Sequence, residues 1–184
     1  MKRIAASGLT LVEMLVSITI LGIIAAAVIP LLSSNDPQKL SVAAEETANM
    51  LRFALSEASR TGTYVLVDGK SATGQATGQI RLYNSDSSGN LSSAINDPLT
   101  KRAAILDVSG SPFSRDVSLA PQFRAGGSAW PQLLIGPGLS QLQVFDGAAV
   151  NKGALQPNSG VLLSYGGQSI TVSLNEATGL VSLP

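Results

Sequence analysis

Glu13 is the only charged residue in a 24-residue segment, 9–32, that is otherwise uncharged and mostly apolar. A carboxylate inside an apolar helix costs about 2.5–3.5 kcal/mol on membrane-insertion scales. Pairing with a positive group through charge-assisted hydrogen bonds is the interaction that offsets such a cost. Glu13 therefore predicts a site of ion pairing rather than a site of catalysis.

Residues that commonly carry out catalysis or bind metals are missing from the chain. None of the 184 residues is a histidine, and none is a cysteine. This removes thiol nucleophiles, disulfides, the commonest zinc ligands and the usual general base near neutral pH. Serines are plentiful, but no motif sets a lysine or a carboxylate beside one as a base. We therefore expect no enzyme activity and no cofactor.

The charge balance argues against a polyanionic partner. Twelve basic and twelve acidic residues cancel, so no net field draws the protein to nucleic acid. A basic patch would have to be built from scattered residues, namely Lys101, Arg102, Arg115 and Arg124. This is a weak electrostatic footprint, and we expect no nucleic-acid partner.

A polar stretch at 84–90, NSDSSGN, has part of the spacing of a calcium-binding loop. Asn84, Asp86 and Ser88 alternate and Gly89 falls sixth, but Ile95 stands where the loop needs a bidentate carboxylate. We interpret this stretch as a solvated turn and expect no metal site.

The segment 9–32 is the element that must position Glu13. As a helix it is about 36 Å long, which is enough to cross a bilayer. Lys2 and Arg3 precede it, and the next basic residue is Lys39. The rule that positive flanks stay inside places the N-terminus in the cytoplasm and the rest of the protein on the far side.

Two simpler interpretations of this segment stay open at this point. It could be a secretory signal peptide cut by signal peptidase near the alanines at 25–27, which would release an exported binding domain. It could also be a plain membrane anchor in which Glu13 lies close enough to the interface to stay hydrated. The first does not account for the apolar residues beyond 27, and the second tolerates Glu13 without explaining it.

The residues around Glu13 carry a resemblance to a known family. A short basic leader ending in Gly8, followed by Leu9, Thr10 and the rest of the sequence LTLVE and then a long apolar helix, resembles the N-terminus of the type IV pilin and pseudopilin superfamily. The resemblance implies cleavage by a prepilin peptidase between Gly8 and Leu9 and N-methylation of Leu9. The mature chain would begin with leucine, where phenylalanine or methionine is commoner in the family.

The same resemblance gives Glu13 a role in filament assembly. As the fifth mature residue, it would pair with the amine of Leu9 on a neighbouring subunit and fix the axial offset between the two, with Thr10 in the same assembly segment. Pro30 matches a position where many pilins have a proline, and it is expected to kink the helix because it lacks a backbone donor.

A second helix is predicted at the polar break SSNDP at 33–37, with Asp36 as N-cap and Pro37 at the first helical position. Apolar residues then recur at steps of three and four, which is typical of an amphipathic helix. The members of this stripe are Leu40, Ala44, Ala48, Leu51, Leu55 and Ala58. Gly62 is the expected stop.

The rest of the chain has the pattern of antiparallel β structure. Runs rich in β-branched and apolar residues predict strands at 63–67, 79–83, 103–108, 131–135, 142–145, 160–165, 169–174 and 180–183. Gly166 and Gly167 predict a tight turn, and NEATG at 175–179 predicts another. The stretches 84–100 and 109–130, rich in Ser, Asn, Gly and Pro, are predicted to be loops.

Within the superfamily, the helix end ETANMLRFALSEASRTG followed by the strand YVLV, together with the closing hairpin GGQSITVSLNEATGLVSLP, resembles the H-type minor pseudopilin of type II secretion. The resemblance implies an α+β, pilin-like fold, in which a long N-terminal helix with a transmembrane half and an amphipathic half packs on an antiparallel two-sheet β domain. The expected organisation is a leader peptide at 1–8, a transmembrane and assembly helix at 9–32, an amphipathic helix continuing the spine at 33–62 and a periplasmic β domain at 63–184.

This organisation implies a structural function. The expected role is that of a minor pseudopilin near the tip of a periplasmic pseudopilus, anchored in the inner membrane by a single pass, that helps to export folded proteins across the outer membrane. Its expected partners are other major and minor pseudopilins, the prepilin peptidase, the inner-membrane secretion platform and secreted cargo. The alternative within the superfamily is a minor pilin of a type IV pilus that acts in assembly, adhesion or DNA uptake.

Overall fold

The computed structural model describes residues 10–32, 36–70, 76–139 and 141–184. The chain forms two compact units, one ending at Asp36 and the other running from Pro37 to Pro184.

The first unit contains the helix α1 (Leu11–Leu32). Its large apolar side chains are exposed on every face of the helix from Leu11 to Ile24, with exposed fractions between 49% and 81%. A helix that is apolar all round has no polar face to turn toward water. Within the part of the chain that the structure describes, no helix has the combination of length and apolarity needed to cross a membrane.

All of α2 (Asp36–Thr61) except its first residue belongs to the second unit, and its predicted amphipathic character is confirmed. The predicted stripe is buried, together with further small side chains at Ala43, Thr47 and Ala54. The Thr47 hydroxyl donates to the carbonyl of Ala43 at 2.7 Å, which satisfies a buried polar group. Gly62 ends the helix as predicted, with a φ of 65° and its N–H donating to the Ala58 carbonyl. The Asp36 side chain, predicted to cap the helix, lies outside the described residues.

Twelve strands follow α2 among the described residues. They are β1 (Tyr64–Lys70), β2 (Ala76–Ser85), β3 (Leu91–Ala94), β4 (Ile105–Asp107), β5 (Ser118–Ala125), β6 (Ser128–Trp130), β7 (Gln132–Ile135), β8 (Leu142–Phe145), β9 (Asn151–Ala154), β10 (Ser159–Tyr165), β11 (Gln168–Leu174) and β12 (Val181–Ser182). A short 3₁₀ helix, Pro137–Leu139, precedes β8. Each of the eight predicted strands is present; β8 has the predicted bounds, and the other seven have shifted ends.

The strands form two antiparallel sheets. The first has the order β3-β2-β1-β7-β8-β9, with β4 also pairing with β2, and the second has the order β12-β11-β10-β5-β6. The predicted turns are confirmed: Gly166 and Gly167 connect β10 to β11 with φ values of 57° and 81°, and 175–179 connects β11 to β12. The α+β fold class with antiparallel sheets is therefore confirmed.

The two loop predictions are wrong in part, because 84–100 contains β3 and 109–130 contains β5 and β6. The strand β5 buries alternate residues, Leu119, Pro121, Phe123 and Ala125, which is the period of a strand. Its proline argued against a strand, because proline removes a ladder donor. The proline is tolerated because β6 pairs with β5 only from Phe123 onward, so that at Pro121 the paired neighbour is β10.

One cluster of buried side chains joins α2 to both sheets. It includes Leu51 from α2, Val67 and Leu133 from the first sheet, and Phe123 and Leu163 from the second. Two hydrogen bonds also tie α2 to the second sheet, from Lys39 to the Tyr165 hydroxyl at 3.0 Å and from Arg52 to the Val181 carbonyl at 3.3 Å. The second unit therefore has a main core that α2 and both sheets share, and a smaller separate cluster of Leu66, Leu134 and Phe145 in the first sheet.

Gly69 lies at a close approach between the two sheets, and Gly69→Ala is expected to destabilise the second unit. A Cβ there would lie 2.1 Å from Cγ of Pro121 and 3.0 Å from the Pro131 carbonyl oxygen. Neither a proline ring nor a backbone oxygen can move away freely, so we expect a loss of about 1–3 kcal/mol from overpacking. Thermal unfolding of the full chain in detergent, followed by circular dichroism, should show a midpoint lower by several degrees.

Gly147→Ala is the matched control for this substitution. Its Cβ would meet only the flexible Lys70 side chain, at 3.4 Å or more. Equal unfolding midpoints for the two variants would contradict the close approach at Gly69.

Candidate functional site

The candidate site is the first turn of α1, where Thr10 caps the helix. The backbone N–H of Glu13 donates to the Thr10 hydroxyl oxygen at 3.3 Å, and the N–H of Met14 donates to the Thr10 carbonyl at 3.1 Å. Threonine is a preferred N-cap because its hydroxyl satisfies a donor that the helix leaves unpaired. The T-x-x-E spacing of Thr10 and Glu13 is also the sequence signature of a capping box, a signal that sequence reading missed.

The helix N-terminus alone does not account for a carboxylate at Glu13. A negative side chain in the first turn of a helix gains about 0.3–1 kcal/mol from the helix dipole. This is smaller than the 2.5–3.5 kcal/mol that insertion scales give as the cost of a carboxylate in an apolar helix. A further interaction must therefore offset the remainder if α1 lies in an apolar medium.

The Glu13 side chain is exposed and has no ion-pair partner among the described residues. The ion pairs in those parts of the chain join Arg60 to Glu57 and Lys152 to Asp146. The carboxylate of Glu13 is therefore available to a cation from outside this set of residues.

The hydroxyl groups of α1 have partners within the helix, in contrast to Glu13. Ser17 donates to the carbonyl of Glu13 and Thr19 donates to the carbonyl of Leu15, each at 2.7 Å. An apolar medium offers no other partner, so bonds of this kind make the two hydroxyls compatible with it. Glu13 is left as the described side chain of α1 that needs a partner from elsewhere.

For three of the site residues predicted from the sequence, the structure describes no side-chain contacts. Gly8 and Leu9, the predicted cleavage and methylation positions, lie outside the described residues. Pro30 lies within α1, which is helical from Leu11 to Leu32, but its side chain is not described. The kink at Pro30 stays a prediction.

The polar stretch at 84–90 forms a turn that is closed by its own hydrogen bonds. One oxygen of Asp86 accepts the backbone N–H groups of Ser88 and Asn90, and the other accepts the side-chain amide of Asn90. The Asn90 amide is the main cause of a lowered pKa of the Asp86 carboxyl, followed by the backbone bond from Asn90. Both carboxylate oxygens are therefore used within the turn.

The most strongly shifted carboxyl group in the β domain is that of Asp146. Lys152 lies 2.8 Å from it, and the backbone N–H groups of Ala148 and Val150 donate to its other oxygen. The bond from Lys152 is the largest cause of a pKa of about 2, followed by the bond from Val150. Lys152 also lies 4.8 Å from the ring centre of Trp130, so this cation–π contact links β9 of the first sheet to β6 of the second.

Acid should weaken the fold through Asp146. Its folded-state pKa of about 2 lies below the ordinary value of 3.8, so the ionised group stabilises the fold above about pH 4. This stabilisation is lost as the pH falls through about 2. Denaturant unfolding of Asp146→Asn should therefore depend less steeply on pH between 4 and 2 than that of the natural protein, and Lys152→Met should reduce the slope in the same direction. A wild-type slope in both variants would contradict this assignment.

A family model of known proteins matches the N-terminal segment that contains the first turn of α1. Residues 3–29 match the family model described as the prokaryotic N-terminal methylation motif. No curated protein and no solved structure matches the chain. The motif is the signal of type IV pilin-like prepilins and is typical of membrane-anchored proteins. It implies processing by a prepilin peptidase and assembly with other pilin-like subunits. The N-terminus of this chain therefore carries a pilin-type prepilin signal, which supports its placement in the pilin and pseudopilin superfamily.

Proposed function

We propose that the chain is a minor pseudopilin of a type II secretion system, a non-enzymatic subunit near the tip of a periplasmic pseudopilus. The observation that carries this proposal is the exposed carboxylate of Glu13, which has no ion-pair partner among the described residues, inside the methylation motif at the start of an apolar helix. In a bundle of staggered helices, the amine of Leu9 on a neighbouring subunit would supply the missing cation.

The proposal places residues 9–32 in the inner membrane, the N-terminus in the cytoplasm and residues 63–184 in the periplasm. The apolar side chains exposed all round α1 support this placement, because a surface of this kind needs lipid or other apolar helices around it. Its partners would be other major and minor pseudopilins, the prepilin peptidase, the inner-membrane platform and secreted cargo.

The order of elements supports the subtype. An amphipathic helix that ends at Thr61 is followed after two residues by a core strand, and a β hairpin closes the chain, as in the H-type minor pseudopilin that the sequence resembles. The methylation motif itself is shared with minor pilins of type IV pili, so the choice between the two filaments rests on this weaker pattern.

Deletion of the gene in the native host separates the two filaments. We expect exoprotein activity in the medium to fall while surface pili and twitching stay unchanged, and a plasmid copy should restore secretion. Normal secretion together with a loss of pili would identify a minor pilin instead. Loss of neither would contradict both functions.

A further inference from the structure

The loop from Asp97 to Arg102 holds a large apolar side chain out in the solvent. One carboxylate oxygen of Asp97 accepts the N–H groups of Leu99, at 2.7 Å, and Thr100, at 3.0 Å. The backbone of Asp97 also bonds to the N–H of Lys101 and to the carbonyl of Arg102. Leu99 is 90% exposed in this closed loop, so its exposure does not come from a loose backbone.

A groove of about 410 Å³ lies beside Leu99, between this loop and α2. Its apolar lining comes from Met50 and Phe53 of α2 and from Ala104 and Leu106 near β4. A volume of this size admits one or two side chains of another protein. Leu99 and the groove together form an apolar surface whose parts are already in place, and association therefore loses little conformational entropy.

The charged residues that line the groove are acidic, so the groove carries negative charge. Glu46 and Asp97 are the charged residues that line it among the described residues, and Asn49 of α2 is an uncharged polar residue of the same lining. Arg102 lines the neighbouring hollow, which shares Met50, Asp97 and Ala104 with the groove. A bound segment would therefore place a positive group toward Glu46 and away from Arg102.

This negative charge disfavours lipid as the occupant of the groove. Anionic headgroups attract basic surfaces, and Glu46 and Asp97 would repel them. A protein segment with an apolar side chain and a nearby cation satisfies both the apolar lining and the acidic rim.

We propose that this groove, lined by Met50, Phe53, Ala104 and Leu106 and bounded by Leu99, Glu46 and Asp97, binds a segment of a different protein. The segment inserts an apolar side chain next to Leu99 and sets a lysine or arginine against Glu46 and Asp97. This inference goes beyond the proposed function and does not depend on it. It requires only that a protein with such a segment is present with this chain in the host.

Photocrosslinking in the native host tests the groove with the full-length protein. The probe is p-benzoylphenylalanine in place of Leu99, with the same probe in place of Thr171, an exposed residue of β11, as the control position. We expect a covalent product with another protein at 99 and not at 171. The cross-linked peptide should carry a lysine or arginine within about four residues of an apolar residue.

Charge reversal tests the acidic rim. Glu46→Arg should reduce the product at position 99 about tenfold, which corresponds to about 1.4 kcal/mol. Glu45→Arg is the matched control, because Glu45 is exposed on the same helix and does not line the groove. A Glu46→Gln variant keeps an acceptor for the Ser114 hydroxyl that bonds to Glu46, and it should give an intermediate reduction.

Leu99→Ser provides a second test that does not depend on Glu46. Leu99 is almost fully exposed, so this variant is expected to fold normally. The same probe in place of Asn49, which lines the groove, should give a product when Leu99 is present and lose it in Leu99→Ser. The proposal is overturned by any of four results: no product at 99, a product with lipid, a product with a second copy of this chain, or equal yields for Glu46→Arg and Glu45→Arg.

Discussion

Glu13→Leu is expected to leave the chain in the membrane but to remove it from the filament. Leucine abolishes the insertion cost of the carboxylate, about 2.5–3.5 kcal/mol, so membrane insertion should be unchanged or improved. The same change removes the only group of the described part of α1 that can pair with a neighbouring amine. The measurement is the amount of the protein that co-purifies with the major subunit, relative to the amount in the membrane fraction.

Two further variants separate charge from other causes. Glu13→Gln keeps the shape and a hydrogen-bonding side chain but not the charge, and it should fail to assemble like the leucine variant. Ser17→Leu is the matched control: the Ser17 hydroxyl bonds to a carbonyl of its own helix, so its removal leaves no group without a partner and assembly should be normal. Normal entry of Glu13→Leu into the filament would contradict the pairing role.

Phe123→Ala is expected to have the largest effect on the stability of the second unit. Phe123 and Phe145 are the largest fully buried side chains among the described residues, and Phe123 lies in β5, in the core cluster that joins both sheets to α2. Truncation of a buried phenylalanine costs about 3–5 kcal/mol, from lost transfer energy and the cavity that remains. Domains are stable by only about 5–15 kcal/mol, so much of the folded-state stability would be lost.

The control for this substitution is Phe113→Ala. Phe113 is 70% exposed, and a surface change of this kind is expected to stay within about 0.5 kcal/mol. Urea unfolding of both variants in detergent gives the comparison. A similar loss in the two variants, or a loss below about 1 kcal/mol for Phe123→Ala, would mean that β5 does not contribute to the core as described.

Elements marked by a local sequence signal, such as helical periodicity or a pair of turn glycines, were predictable from the sequence. The periodicity of α2 identified its buried face, and the two glycines at 166 and 167 identified the β10–β11 turn, because both signals are local. β3 gave no such signal, since all four of its residues are exposed and no alternation marks a core face. β5 does alternate, but Pro121 concealed it, and only the pairing of the sheets explains why the proline is tolerated there.

The candidate site was predictable to a similar degree. A single charge in an apolar segment identified Glu13, and the spacing from Thr10 to Glu13 contains the capping signal. The groove beside Leu99 could not be predicted, because Glu46 and Asp97 lie far apart in the sequence and are brought together only by the packing of α2 near β4. Neither residue stands out from its neighbours in the chain.

The start of the mature protein tests the central claim most directly. The full-length gene is expressed in the native host, the protein is extracted from its membranes, and its N-terminal peptide is identified by mass spectrometry. We expect a chain that begins at Leu9 and carries a methyl group on its amine. A chain that still begins at Met1, or one that begins near Val28 after cleavage by signal peptidase, would contradict the assignment of a pilin-type subunit.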